Sequence, residues 1–125
     1  EPDWARPDDL SVTAVARAAR ESHDLSDLGP AHFLYPSAYV PDDEGIARWC
    51  GETLREHDTA YWGVLALTER IQREFAFDPG ITMAQTLPGE AFAARAGVCQ
   101  DFAQIMITGL RAAGIPAAYV SGYIR

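Results

Sequence analysis

The amino-acid sequence predicts an α+β domain that is mainly helical, with its strand at the end of the 125-residue chain. Several separate stretches place apolar residues three and four positions apart, which is the spacing of one buried helix face. Gly114 and Pro116 stop the last of these stretches. The residues that follow, Ala117 to Ile124, are apolar with β-branched and aromatic members, as in a half-buried strand.

The start of the chain differs in composition from the rest. Residues 1–9 are acidic and contain two prolines, which predicts a linker or the end of a preceding domain. Residues 10–125 form the predicted domain. Its first helix is predicted over Ser11 to Ser22, capped by Asp8 or Asp9.

Two further helices are predicted after a proline-interrupted stretch that ends at Pro41. The second helix opens with carboxylates, which suit the positive end of the helix dipole. Its predicted buried face consists of Ile46, Trp49, Cys50, Thr53 and Leu54. The third runs from Thr59 to Phe75 and is the predicted packing partner of the last helix. Its apolar stripe consists of Tyr61, Trp62, Val64, Leu65, Leu67, Ile71 and Phe75, and its solvated side of Glu69, Arg70, Arg73 and Glu74.

Cys99 stands at the predicted start of the last helix. A short helix or turn is predicted from Pro88 to Ala94, just before Gly97, since proline suits a first helical position. A thiol at a helix start lies beside unpaired backbone amides and the positive end of the dipole, so the nucleophilic thiolate is favoured. The other interpretation is a small apolar core residue, because free cysteines are commonly buried.

The segment around Cys99 resembles the bacterial transglutaminase-like superfamily over roughly the last half of the chain. The matching residues are Gly97-Val98-Cys99-Gln100-Asp101-Phe102-Ala103, Gly114-Ile115-Pro116-Ala117 and Tyr119-Val120-Ser121-Gly122-Tyr123, with Phe77-Asp78-Pro79-Gly80 upstream. The resemblance implies a papain-like cysteine site with Cys99 as its catalytic residue. It also implies that residues 10–125 are the N-terminal helical part of such a domain.

The resemblance implies two partners of Cys99 that this sequence does not supply. The family places a histidine and then an aspartate on later strands, whereas His23, His32 and His57 all precede Cys99. The sequence therefore predicts a truncated core, lacking the rest of its sheet and inert by itself. The absence of an initiator Met is typical of a piece of a longer protein. Since unpaired strands recruit partners, self-association through residues 117–124 is predicted.

The activity implied by the resemblance is acyl transfer through a thioester on Cys99, with an amide bond in a protein or peptide as substrate. A protease, an amidase and a transferase all fit this description. The alternative is a non-catalytic scaffold or binding module that keeps the fold. Asp101 is predicted to cap the last helix. A dyad of His57 with Asp58 or Glu56 is disfavoured because adjacent helical residues point apart and because the residue order in the resembling family is different.

Composition limits the partners and the location. The chain has 18 acidic and 10 basic residues and a net charge of −8, which argues against nucleic acid and anionic membrane as partners. No cofactor is indicated, and Cys50 and Cys99 lack metal-ligand spacing. The chain shows neither a signal peptide nor an apolar run near the roughly 18 residues that span a membrane, so a reduced cytoplasmic protein is predicted.

Overall fold

A computed structural model of the protein describes residues 10–21, 41–83 and 86–117. The elements within these ranges are α1 (Val12–Glu21), α2 (Glu44–Arg55), α3 (Ala60–Glu74), β1 (Ala76–Phe77), α4 (Pro88–Ala94), β2 (Ala96–Gly97) and α5 (Cys99–Ala112). The mainly helical α+β class is therefore confirmed. The strand predicted over residues 117–124 lies, apart from Ala117, outside the described residues, and self-association through it stays a prediction.

A serine caps α1, although the sequence pointed to an aspartate. Ser11 Oγ accepts a hydrogen bond from the backbone N–H of Ala14 at 3.1 Å, which satisfies one amide that the helix start leaves unpaired. Ala16 and Ala19 are the buried residues of α1. A Cβ added to Gly114, just past α5, would lie 2.7 Å from Ala16 Cβ. Small residues therefore bring α1 close to the end of α5.

The buried face of α2 is the one that the sequence predicts. Its members are Ile46, Trp49, Cys50, Thr53 and Leu54. Asp43 Oδ1 caps the helix by accepting a hydrogen bond from the Ile46 N–H at 2.9 Å. This face packs mainly against α5 and α3. Cys50 is fully buried and free, and burial raises the pKa of its thiol to about 12.

Helices α2 and α5 approach closely at Gly109. A Cβ at this position would collide with Cys50 Sγ and would lie 2.6 Å from Cys50 Cβ. Glycine in a helix interior costs about 1 kcal/mol relative to alanine. A larger residue does not fit at position 109, because the Cys50 side chain occupies the space that its Cβ would need.

Helix α3 buries a narrower face than the sequence predicts. The buried residues within α3 are Gly63, Leu67 and Ile71. Three large members of the predicted stripe are exposed instead: Tyr61 at 40%, Trp62 at 59% and Leu65 at 38%. Among the described elements α3 packs mainly on α2, whereas α5 packs mainly on α2 and α4. The predicted packing of α3 on α5 is therefore present but is not the main contact of either helix.

Arg70, predicted on the solvated side of α3, joins α3 to α2. Its side chain is only 20% exposed. Nη1 donates hydrogen bonds to the Trp49 carbonyl oxygen at 2.8 Å and to Thr53 Oγ1 at 2.9 Å, while Nε pairs with Glu74 at 2.7 Å. The guanidinium also lies 4.4 Å from the centre of the Trp49 ring. The planar arginine head makes these contacts simultaneously, which a lysine ammonium does not.

Two short parallel strands lead the chain to the start of α5. Ala76 pairs with Ala96, and Phe77 pairs with Gly97. The backbone N–H of Ala76 donates to the Arg95 carbonyl oxygen at 2.9 Å, and the N–H of Asp78 donates to the Gly97 carbonyl oxygen at 2.8 Å. The last residue of β2 thus has a fixed position two residues before Cys99.

Helix α4 has the predicted bounds and ends at Arg95, whose backbone is left-handed with φ of 54°. The Arg95 guanidinium lies 3.8 Å from the centre of the Phe92 ring and 5.3 Å from that of Phe75. Trp49 contacts both rings edge-on, with each pair of ring centres 5.6 Å apart. Arg95 therefore covers an aromatic cluster shared by α2, α4 and the end of α3.

Candidate active site

Cys99 is the first residue of α5, and Val98 is the N-cap residue before it. The Cys99 thiol is free and exposed. The first amides of a helix have no intrahelical acceptors, and together with the dipole they stabilise negative charge nearby. The interpretation of Cys99 as an apolar core residue is therefore wrong, and its predicted place at the helix start is confirmed.

An open groove of about 580 Å³ lies beside Cys99. Its lining is mostly apolar and, among the described residues, includes no charged side chain. The side formed by α3 and the residues just after it consists of Thr68, Ile71, Gln72, Phe75 and Phe77; the side formed by α5 consists of Cys99, Phe102, Ala103 and Met106. Phe102 and Met106 are half-buried, because one side of each faces this groove. The thiol thus opens onto an accessible apolar surface.

Asp101 lies in the first turn of α5, and its buried carboxylate caps the start of that helix. The residue is 2% exposed. Its Oδ2 atom accepts hydrogen bonds from the Val98 backbone N–H at 2.9 Å and from the Thr82 hydroxyl at 2.6 Å. The prediction that Asp101 caps this helix is confirmed. Thr82, which lies 19 positions earlier, was not identified from the sequence.

Gly97 leaves room for the Asp101 carboxylate. A Cβ at position 97 would lie 2.7 Å from Asp101 Oδ2 and 2.9 Å from Asp101 Cβ, both too close for ordinary contact. The absence of a side chain at Gly97 therefore makes space for the carboxylate. The turn that carries Thr82 starts at Asp78, whose Oδ1 accepts a hydrogen bond from the Gly80 N–H at 2.9 Å.

No histidine of the described residues lines the groove beside Cys99. His57 follows α2 and lines two other clefts, one bordered by α1 and one by α3. A His57–Asp58 dyad is therefore not placed at the thiol. His23 and His32 lie outside the described residues. Within the described ranges no group of three or more His, Cys, Asp or Glu side chains is arranged to hold a metal ion.

We expect iodoacetamide at about pH 7.5 to modify Cys99 and to leave Cys50 unmodified, because only exposed thiols with access to the thiolate form react. Cys50 is buried, and its pKa of about 12 keeps it protonated throughout the neutral range. Peptide mapping by mass spectrometry measures both sites. The unfolded protein, in which both thiols react, is the control, and comparable labelling of the two cysteines in the folded protein would contradict the prediction.

Comparisons with known proteins identify the family of this chain. Residues 47–125 match the model of the "Transglutaminase-like superfamily". The chain belongs to this superfamily. An uncharacterized protein of Mycobacterium tuberculosis is 48% identical over 58 residues, which cover 46% of this chain and 18% of that protein. An uncharacterized protein of Mycobacterium leprae is 33% identical over 91 residues, which cover 73% of this chain and 32% of that protein.

A solved crystal structure is similar to this chain in both fold and sequence. The crystal structure of "a Putative Cysteine Protease" from Cytophaga hutchinsonii matches with a TM-score of 0.63 and 32% sequence identity. The match covers 74% of this transglutaminase-like chain and 32% of the crystallised one. The fold is therefore that of a transglutaminase-like, papain-like core. The chain spans about a third or less of the length of these relatives.

No helix within the described parts of the chain has both the length and the apolar character needed to cross a membrane.

Proposed function

We propose that this transglutaminase-like chain belongs to a cysteine enzyme that transfers the acyl group of an amide through a thioester on Cys99. The observation that carries the proposal is the exposed Cys99 thiol at the first residue of α5, beside an open groove. The structural similarity to a protein described as a cysteine protease supports the same class of chemistry. Protein or peptide amides are the proposed substrates.

The proposed reaction has two steps. The Cys99 thiolate attacks the carbonyl carbon of the amide, the carbon–nitrogen bond breaks, and the amine leaves with a proton from a general acid. Water or a second amine then attacks the thioester and releases the acyl product with restoration of the thiol. The Cys99 backbone N–H, at the start of α5, is the proposed donor to the oxyanion.

The proposal requires a histidine from elsewhere in the intact protein, because none of the described residues supplies one to the groove. The resemblance in sequence implies such a histidine, followed by an aspartate that orients it. Asp101 is not a candidate for the second role, because its carboxylate is buried and already accepts hydrogen bonds from Val98 and Thr82.

The test uses the intact protein with a mixed peptide digest and a fluorescent primary alkylamine. We expect a covalent acyl adduct on Cys99 in the intact mass spectrum, because a thioester accumulates when its formation outpaces its resolution. Amine incorporated into peptides indicates a transferase. Shortened peptides or released ammonia without incorporation indicate a protease or an amidase.

The matched control is Cys99→Ser, which keeps the size and place of the side chain but removes the thiol. Product formation that survives in this variant would exclude Cys99 as the nucleophile. Complete lack of adduct and product, in a protein whose Cys99 still reacts with iodoacetamide, would favour the non-catalytic scaffold instead.

A further inference from the structure

Three segments of the chain meet at the buried Asp101 carboxylate. One is the first turn of α5, the second is the Val98 backbone before it, and the third is the turn after β1, which carries Thr82. Both hydrogen bonds end on the same oxygen, Oδ2, and the bond from Thr82 is short at 2.6 Å. Short bonds of this kind to an ionised acceptor are about twice as strong as neutral ones.

We infer that Thr82 is a positioning residue for Cys99 and acts through Asp101; this inference rests on the proposed function. Val98 is bonded to the carboxylate and is covalently joined to Cys99. A shift of the carboxylate moves the Val98 N–H, and the next peptide group along the chain is the one that contains the Cys99 N–H. That N–H is the proposed oxyanion donor, and the sulfur is attached to the same residue.

The Thr82 hydroxyl has no substitute near the carboxylate among the hydrogen bonds of the described residues. Asp101 is 2% exposed, so water replaces a lost donor only if the structure opens. Gly97 confirms how tightly the carboxylate is enclosed, because a single added Cβ there would lie 2.7 Å from Oδ2. Removal of the hydroxyl therefore leaves a buried charge with one donor fewer, and the turn before Cys99 relaxes.

A backbone hydrogen bond to β2 holds the start of this turn. The Asp78 N–H donates to the Gly97 carbonyl oxygen at 2.8 Å, which joins the two short strands. Among the hydrogen bonds of the described residues, the one from Thr82 joins the turn after β1 to α5. The position of Cys99 thus depends on a hydroxyl contributed by a segment remote in sequence.

The test compares Thr82→Val with Thr82→Ser in the intact protein. We expect Thr82→Val to lower kcat by about 10- to 100-fold, the effect of a displacement near 1 Å at a reacting group, with KM within about twofold. We also expect the rate of Cys99 alkylation by iodoacetamide to fall by about two- to fivefold, the size of a helix-terminus interaction. Thr82→Ser retains the hydroxyl and should restore both values.

Thr108→Val is the matched control. Thr108 lies on the same helix, is 4% exposed, and donates its hydroxyl to the Gln104 carbonyl oxygen at 2.8 Å. The variant therefore also loses a buried hydrogen bond from a hydroxyl group. Because this bond lies nine positions after Cys99, kcat and the rate of Cys99 alkylation should stay unchanged. A melting curve for each variant separates a general loss of stability from a local effect on the thiol.

The inference is overturned if Thr82→Val keeps the kcat and the alkylation rate of the unmodified protein, even when it melts at a lower temperature. It is also overturned if Thr108→Val lowers both values equally. Where Thr82→Val does not fold, Thr82→Ala removes the same hydroxyl with a smaller side chain and gives the same comparison. Activity retained by Cys99→Ser would overturn the proposed function alone, since alkylation of Cys99 still decides whether Thr82 positions the thiol.

Discussion

Replacement of Cys99 by alanine in the intact protein is expected to lower kcat/KM on an amide substrate by about 10⁴-fold or more. Alanine keeps the helix start and the adjacent groove but supplies no nucleophile, so no thioester forms. The residual rate then comes from substrate binding and oxyanion stabilisation alone. A steady-state assay that follows amine release measures the loss, and the melting temperature of the variant should match that of the unmodified protein, since the thiol is exposed.

Cys50→Ala is the control for this experiment, because it also removes a thiol but from the interior. Cys50 is fully buried between α2 and α5 and protonated at neutral pH. We expect kcat/KM to remain within about twofold, while the free energy of unfolding falls by about 1 kcal/mol for the lost packing. A larger loss of activity in Cys50→Ala than in Cys99→Ala would reverse the assignment of the two cysteines.

Gly109→Ala is expected to lower the free energy of unfolding by about 3 kcal/mol, the upper range for overpacking a core. The added methyl group would collide with Cys50 Sγ and would lie 2.6 Å from Cys50 Cβ, so α2 and α5 must move apart. Both elements belong to the main core, which spreads the displacement to Ile46 and its neighbours. Chemical denaturation followed by circular dichroism measures the change.

Two variants make this prediction specific to the contact between α2 and α5. Gly51→Ala also replaces a helical glycine. The atoms nearest to the added methyl group would be those of the Arg55 guanidinium, which is flexible and can move away. We expect it to stabilise the protein by up to about 1 kcal/mol, because alanine favours helix. In the double variant Gly109→Ala with Cys50→Gly, the Cys50 side chain that would collide with the new methyl group is absent. We expect this variant to recover part of the lost stability. Equal stability of Gly109→Ala and the unmodified protein would contradict the close packing.

The sequence predicted the elements whose signal is local. Asp43 and the spacing from Ile46 to Leu54 specify the start of α2 and its buried face, since no other large apolar residue stands in that helix. Gly114 has φ of 86° and ends α5 as expected for a glycine at that place. Cys99 stands at the helix start because Gly97 and Val98 are extended before it.

Features that depend on the packing of distant segments were missed. The third helix is apolar on several sides, so its sequence does not reveal that Trp62 faces outward. Arg70 has the spacing of a solvated residue, and only the approach of α2 gives it Trp49 and Thr53 as acceptors. Two-residue strands are too short to show the alternation that marks a strand. Thr82 stands in a loop, where nothing local indicates that its hydroxyl meets Asp101.

Arg95 exchanges a strained backbone for the protection of an aromatic surface. The left-handed conformation costs a non-glycine residue about 1 kcal/mol, and a guanidinium stacked over a ring returns about the same amount. Glycine at position 95 would adopt the left-handed conformation without strain, but it would lack the side chain that covers Phe92 and Phe75. At the corner where α4 meets β2, the ring contacts of the arginine thus offset a backbone cost of similar size.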